Sequence, residues 1–178
     1  NDFLSEISDN LFASDDYGPP IAEKLAKIAN KNLETELDLE KLKAIIKSYK
    51  RPENCEQLYV PRINPEIWAN LTKNSQKNDI KIAHLQDSLQ AGISCLMIAL
   101  DDMLQSDAQN KKPNLQKLAT KLIDATALMG HVSKELSFKR WDALKPFLQK
   151  DFKQACSHTN KVEHMLFGND LAAKVQQF

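Results

Sequence analysis

Glycine is scarce, with four in 178 residues. That is few for a fold needing many tight turns, and it leans the chain toward helix. Long apolar runs are missing too. The longest, Ile93–Leu100, ends in Asp101-Asp102 and falls well short of the ~18 residues that span a bilayer, so no membrane-spanning segment is expected. No signal peptide is expected from these residues. It begins at Asn1 rather than Met, so a fragment of something longer is expected. Net charge is nil, 24 basic residues against 24 acidic, which removes any bulk attraction to nucleic acid or to an anionic membrane. Cys55, Cys95 and Cys156 are odd in number and far apart, so they form no disulfide framework. The expected setting is therefore reducing and intracellular, cytoplasm or nucleus.

What is present reads as one helical domain of ordinary size. Hydrophobic residues make up 42%, a globular proportion. Residues 1–16 carry Asp2, Glu6, Asp9, Asp15 and Asp16 without a Lys or Arg, an acidic lead-in expected to be mobile before a domain expected over 17–178. Gly18-Pro19-Pro20 offers Pro20 as a first helical residue, followed by Ile21, Leu25, Ile28 and Ala29 at helical spacing. Asp38 reads as the N-cap of a second helix with Leu39, Leu42, Ile45, Ile46 and Tyr49 on one face, ended by Arg51-Pro52. From Pro52 to Ile63 the pattern is non-periodic, an extended connector over the helical body. Asn64-Pro65-Glu66 then starts a short helix holding Ile67, Trp68 and Leu71.

Two long helices follow. From about Asp79 to Gln105, Ile82, Leu85, Leu89, Ile93, Leu96, Leu100 and Met103 recur at three and four. From Asn114 onward, Leu115, Leu118, Leu122, Ala125, Met129, Val132 and Leu136 alternate three and four without a break. That is coiled-coil spacing. Each helix would be roughly 40 Å long at ~1.5 Å per residue. The polar stretch Ser106 to Lys112 is short enough to fold them back as an antiparallel hairpin, about 79–145. The second helix is read as running through Trp141 and Leu144 to Pro146. Short pieces follow at Asp151–Cys156 and Val162–Phe167, then a last helix after Asn169-Asp170, with Gly168 as the C-cap between.

The fold class expected is all-α: a long coiled-coil-like hairpin with shorter flanking helices and an extended connector. These two helices carry more than one apolar stripe. Ile93–Leu100 is apolar nearly all round, and Ala119, Ile123, Thr126 and Ala127 make a second band beside the heptad positions. Such helices must be covered on several sides. Either residues 17–75 and 146–178 supply the cover, or a second copy of the hairpin does; periodicity alone does not choose.

Sites for chemistry are thin. Cys156, His158 and His164 lie within nine positions, with Cys55 the only spare ligand of the right type. Zinc motifs pair two close ligands with a second close pair, and that second pair is missing; no metal or cofactor is expected. The carboxylates of Asp101-Asp102 diverge around a helix axis. No cysteine sits in a nucleophile signature and there is no phosphate-binding glycine loop, so no catalytic residues are assigned. Lys134, Lys139, Arg140, Lys145, Lys150 and Lys153 cluster around Phe138 and Trp141, candidate contacts to RNA or single-stranded DNA. Glu135, Asp142 and Asp151 interrupt them, and a solvated helix face with Trp141 packed inward is the plainer reading.

Several segments, taken in order, resemble a known family. They are Tyr49-Lys50-Arg51-Pro52-Glu53-Asn54-Cys55, Val60-Pro61-Arg62-Ile63-Asn64-Pro65-Glu66-Ile67-Trp68, Leu128-Met129-Gly130-His131, Leu144-Lys145-Pro146 and Leu166-Phe167-Gly168-Asn169-Asp170-Leu171. Together with Gly18-Pro19-Pro20 they resemble the Gag-like protein of DIRS-type retrotransposons, the tyrosine-recombinase class. The resemblance extends to the C-terminal region of the alpha isoform of the lamina-associated polypeptide. It implies an all-helical, homodimerising structural domain, with capsid-like assembly and packaging of element RNA. Partners implied are a second copy of the chain, element RNA or, for a domesticated adaptor, a nuclear protein of the lamin type. The chain departs from the Gag pattern in having no Cys-Cys-His-Cys zinc knuckle, which leaves RNA binding without its usual module.

Overall fold

The structure, a computed structural model, describes residues 18–35, 37–160 and 166–167. It is all-helical, with no strand among the described residues. In chain order the elements are α1 (Glu23–Glu34), α2 (Leu39–Ser48), α3 (Pro65–Asn70), α4 (Lys73–Ala108) and α5 (Leu115–Leu144). Two 3₁₀ segments follow, Lys145–Phe147 and Lys150–Cys156.

Local chemistry sets most boundaries where the sequence puts them. Asp38 caps α2, its carboxylate accepting the Glu40 N–H at 3.1 Å. Pro65 stands in the first turn of α3, directly after Asn64. Asn114 caps α5 by accepting the Lys117 N–H at 3.0 Å, and the helix gives way to 3₁₀ geometry at Lys145-Pro146.

Two starts differ from expectation. α1 begins at Glu23, not Pro20: Ala22 is still extended, and an acidic residue takes the favourable first position. α4 begins at Lys73 rather than near Asp79, because Lys73–Asn78 contains no apolar residue and so leaves no periodicity to read. Thr72 supplies the start, its hydroxyl accepting the Ser75 N–H at 3.2 Å.

At 36 and 30 residues, α4 and α5 are ~54 and ~45 Å long. They form the expected antiparallel hairpin. Asp102 pairs with Lys121 near the turn, and Lys139 Nζ donates to Asn78 Oδ1 at 3.0 Å near the open end. α4 runs past Gln105 to Ala108 and closes with a Schellman turn: Lys111 N–H donates to Ser106 O at 2.8 Å and Asn110 N–H to Asp107 O at 2.9 Å. Asn110 adopts φ 50°, the left-handed conformation that asparagine tolerates better than most residues.

The remaining elements pack against this hairpin. α2 lays Leu42, Ile45, Ile46 and Tyr49 over Ala91 and Cys95 of α4 and Leu128 of α5. α1 packs on α5 at Gly130, so closely that a Cβ there would lie 2.8 Å from the Asn32 carbonyl oxygen. A second cluster, Phe138, Trp141 and Cys156, is covered by Leu148, Leu166 and Phe167. Trp141 is fully buried and donates its indole N–H to Leu166 O at 3.0 Å. The connector borders the N-terminal part of α4: Val60–Ile63 and Trp68 line one cleft with Ile80 and Ala83. The 1–16 lead-in, the Gly168 cap, the last helix and most of Val162–Phe167 lie outside the described residues.

Candidate self-association face

The line along which α4 and α5 touch is made by small residues. α4 buries Ser88, Ala91, Gly92, Cys95 and Ala99; α5 answers with Leu118, Lys121, Ala125 and Leu128. A Cβ on Gly92 would stand 3.7 Å from Leu128 Cβ and 3.8 Å from the Ala125 carbonyl oxygen. Backbones that approach this closely leave no room for larger side chains between them, so those are turned to the flanks.

The fourteen heptad positions divide accordingly. Leu85, Leu118 and Ala125 are buried, and Ile93, Leu96 and Val132 half-buried. Ile82, Leu89, Leu100, Met103, Leu115, Leu122, Met129 and Leu136 are exposed. The pattern therefore marks the edge of the hairpin seam more than its centre. Sequence reasoning passed over Ser88, Ala91, Gly92 and Ala99; their recurrence at three or four alongside Cys95 was the available signal.

The exposed positions form one surface. On α4, Ile82, Leu89, Leu100 and Met103 are exposed, with half-buried Ile93 and Leu96 between them at heptad spacing, and on α5 exposed Leu115, Leu122, Met129 and Leu136 repeat every seventh residue. Met129 Cε lies 3.8 Å from a Cβ placed on Gly92, which sets the α5 stripe against that of α4. α2, the Tyr49–Asp124 bond and the Asp102 bridge all lie on the other side of the hairpin. Leu100, Leu122 and Leu136 remain 51%, 47% and 51% exposed. The face is two helices wide and ~30 Å long, on the order of 600 Å². That is the upper end of what a monomer usually leaves in water.

The opposite side carries the polar contacts. Tyr49 donates its hydroxyl to Asp124 Oδ2 at 2.6 Å, tying α2 to α5. Burial, then the Asp124 carboxylate, push the Tyr49 phenol well above its ordinary range. Cys95 beneath is pushed up to about 12, by burial first and the Asp124 charge second, so its thiol stays protonated and packs as a small hydrophobe. Burial also raises Cys156. Near the turn Asp102 accepts from Lys121, whose side chain is only 9% exposed, with Lys117 Nζ at 3.5 Å. The Lys121 hydrogen bond holds the Asp102 carboxyl below the usual carboxylate range.

The basic candidates differ in their surroundings. Arg140, Lys145, Lys150 and Lys153 are exposed. Lys139 is bonded to Asn78, and Lys134 Nζ lies 5.6 Å from the Phe138 ring centroid. Phe138 and Trp141, the aromatics that would stack on bases, are buried, and His158 stacks on Phe138 at 4.4 Å. His158 also lies 3.6 Å from Asp142; Cys156 is buried, and His164 is outside the described residues. No group of three metal-ligating side chains occurs among the described residues, nor is any helix there long and apolar enough to cross a membrane.

Among known proteins, a family model described as a domain of unknown function, DUF8747, matches residues 19–169. No curated protein and no solved structure matches the chain.

Proposed function

This chain belongs to the DUF8747 family, and we propose that it serves as a structural self-association domain, two copies pairing hairpin to hairpin. The supporting observation is the face of Ile82, Leu89, Leu100, Met103, Leu122 and Met129, all of which stay exposed in the single chain. Burying such a surface is favourable at ~25 cal/mol per Å². A twofold interface, in which one patch meets its own copy, is the commonest way for such a face to be buried.

The motif resemblance gives the role its setting, a Gag-like protein of a DIRS-type element whose dimers build larger assemblies. The motif segments themselves have structural work in this reading. Arg51 donates to the Cys55 carbonyl at 2.9 Å and closes the turn after α2, and Asn64-Pro65 starts α3. Light scattering tests the proposal. The chain should weigh as a dimer at tens of micromolar, and Leu89→Asp with Leu122→Asp should halve that mass while leaving the helical circular dichroism unchanged. A monomeric wild type at that concentration removes the proposal.

A further inference from the structure

Two charges stand on the open face. Asp107 lies seven residues beyond Leu100 and four beyond Met103, so it shares their side of α4. Arg140 lies four residues beyond Leu136, on the same side of α5. Both are exposed, and neither joins an ion pair among the described residues. Most of the remaining charges of the two helices are turned elsewhere. A groove of about 660 Å³ opens between α2, α4 and α5, on the opposite side of the hairpin, and takes Lys81, Asp87, Glu135 and Asp142 into its lining. Asp79 lines the connector cleft, Asp102 and Lys117 line a cleft by the turn, and Lys139 is held by Asn78.

The two charges are matched along the hairpin. Gly92 of α4 faces Ala125 and Leu128 of α5, which fixes the level at which the helices pass. Asp107 is fifteen residues from Gly92 toward the turn. Arg140 is fifteen from Ala125 and twelve from Leu128 toward the open end. At ~1.5 Å per residue the charges stand ~22 Å and ~18–22 Å from the middle, on opposite sides of it. We propose that the second copy lies across the face end for end, so that Arg140 of each copy meets Asp107 of the other. A twofold axis crossing the middle of the face turns one copy's negative end onto the other's positive end and makes this contact twice. An axis along the helices would instead set Asp107 against Asp107 and Arg140 against Arg140, which like-charge repulsion opposes. Paired charges at the rim of an apolar contact add little affinity, but misplaced ones are costly, so they select orientation and partner. This pairing rests on the self-association reading above and adds to it the orientation of the copies and the residues that select it.

Sedimentation of the full chain at low salt measures the dimer dissociation constant. Asp107→Arg and Arg140→Asp each put like charges at both ends of an end-for-end dimer, and each should weaken it about fivefold or more. Both side chains are exposed, so the helical circular dichroism should not change. Combining the two substitutions in one chain restores opposite charges and should return the constant to within about twofold of wild type. Mixing the two single variants should restore association as well, in a heterodimer. The penalty of each single variant should shrink at ~1 M salt, where screening acts over ~3 Å. Single reversals that leave the constant unchanged overturn the end-for-end pairing, while the dimer itself and the self-association reading stand. A combined variant as weak as the singles overturns it too, since the two charges then do not meet. A wild type that is monomeric at tens of micromolar overturns both readings and gives the face to a different protein.

Discussion

Two glycines on the long helices face opposite consequences if a methyl group is added. At Gly92 the new Cβ would meet Leu128 Cβ at 3.7 Å and Ala125 O at 3.8 Å, ordinary contact distances. The helix would gain the ~0.5–1 kcal/mol by which alanine exceeds glycine in a helix interior. At Gly130 the same atom would lie 2.8 Å from the Asn32 carbonyl oxygen, a backbone atom that no rotamer change can move aside. Urea unfolding should show Gly92→Ala neutral to stabilising by up to ~1 kcal/mol and Gly130→Ala destabilising by ~1–3 kcal/mol, the range for overpacking. Equal effects at the two positions would mean that α1 does not press on α5 as described. Asp102 offers a pH test. Its carboxyl titrates below the ordinary ~3.9 in the folded chain, so its contribution is fully present above that value and is lost as pH falls through the lower, folded one. Asp102→Asn should cost about 1–3 kcal/mol at pH 7, less if solvent at this partly exposed site screens the pair. The gap to wild type should narrow in unfolding measured below the folded carboxyl's titration.

At the scale of elements, α2 is the lid of the first cluster. It holds to the hairpin through Leu42, which is buried, through half-buried Ile45 and Ile46, and through the Tyr49–Asp124 bond. Cys95 lies directly beneath and is wholly buried. Leu42→Ala should cost ~2–5 kcal/mol, the usual range for emptying a buried leucine site. Loosening α2 should also make Cys95 react with a thiol reagent far faster than in wild type, where Cys55 is the more accessible thiol. An unchanged labelling rate would place the cover of Cys95 elsewhere. The sequence made most of this element pattern legible. Asp38, Pro65, Asn114 and Pro146 act through local chemistry, and local chemistry needs no partner to be read. The start of α4 was hidden because Lys73–Asn78 is polar throughout. The hairpin's contact line was misplaced by a step because heptad spacing marks large aliphatic residues. Here Ser88, Gly92, Cys95 and Ala99 determine how closely the backbones meet. The groove beside α2 was illegible for another reason: it draws lining from three helices far apart in sequence, and no window along the chain contains it.

For the molecule as a whole, exposure separates folding from association. Leu85 and Leu118 are buried within one chain, whereas Leu89 and Leu122, four positions further along the same helices, are 39% and 47% exposed. An aspartate at Leu85 or Leu118 places a charge in the interior and should unfold the hairpin whatever the protein concentration. At Leu89 or Leu122 it reaches water in the separated chain and meets an apolar surface only when a second copy arrives. Association that favours the folded form also makes the thermal midpoint depend on concentration, because mass action stabilises whatever state binds the partner. Wild type should therefore melt at a temperature that rises with each tenfold increase in concentration. Leu89→Asp with Leu122→Asp should melt lower, cooperatively, and at the same temperature across the series. Leu85→Asp should show no cooperative transition. A wild-type midpoint indifferent to concentration, with the double variant melting alongside it, would mean that the open face meets water in the working protein and that its apolar residues need another explanation than a second copy.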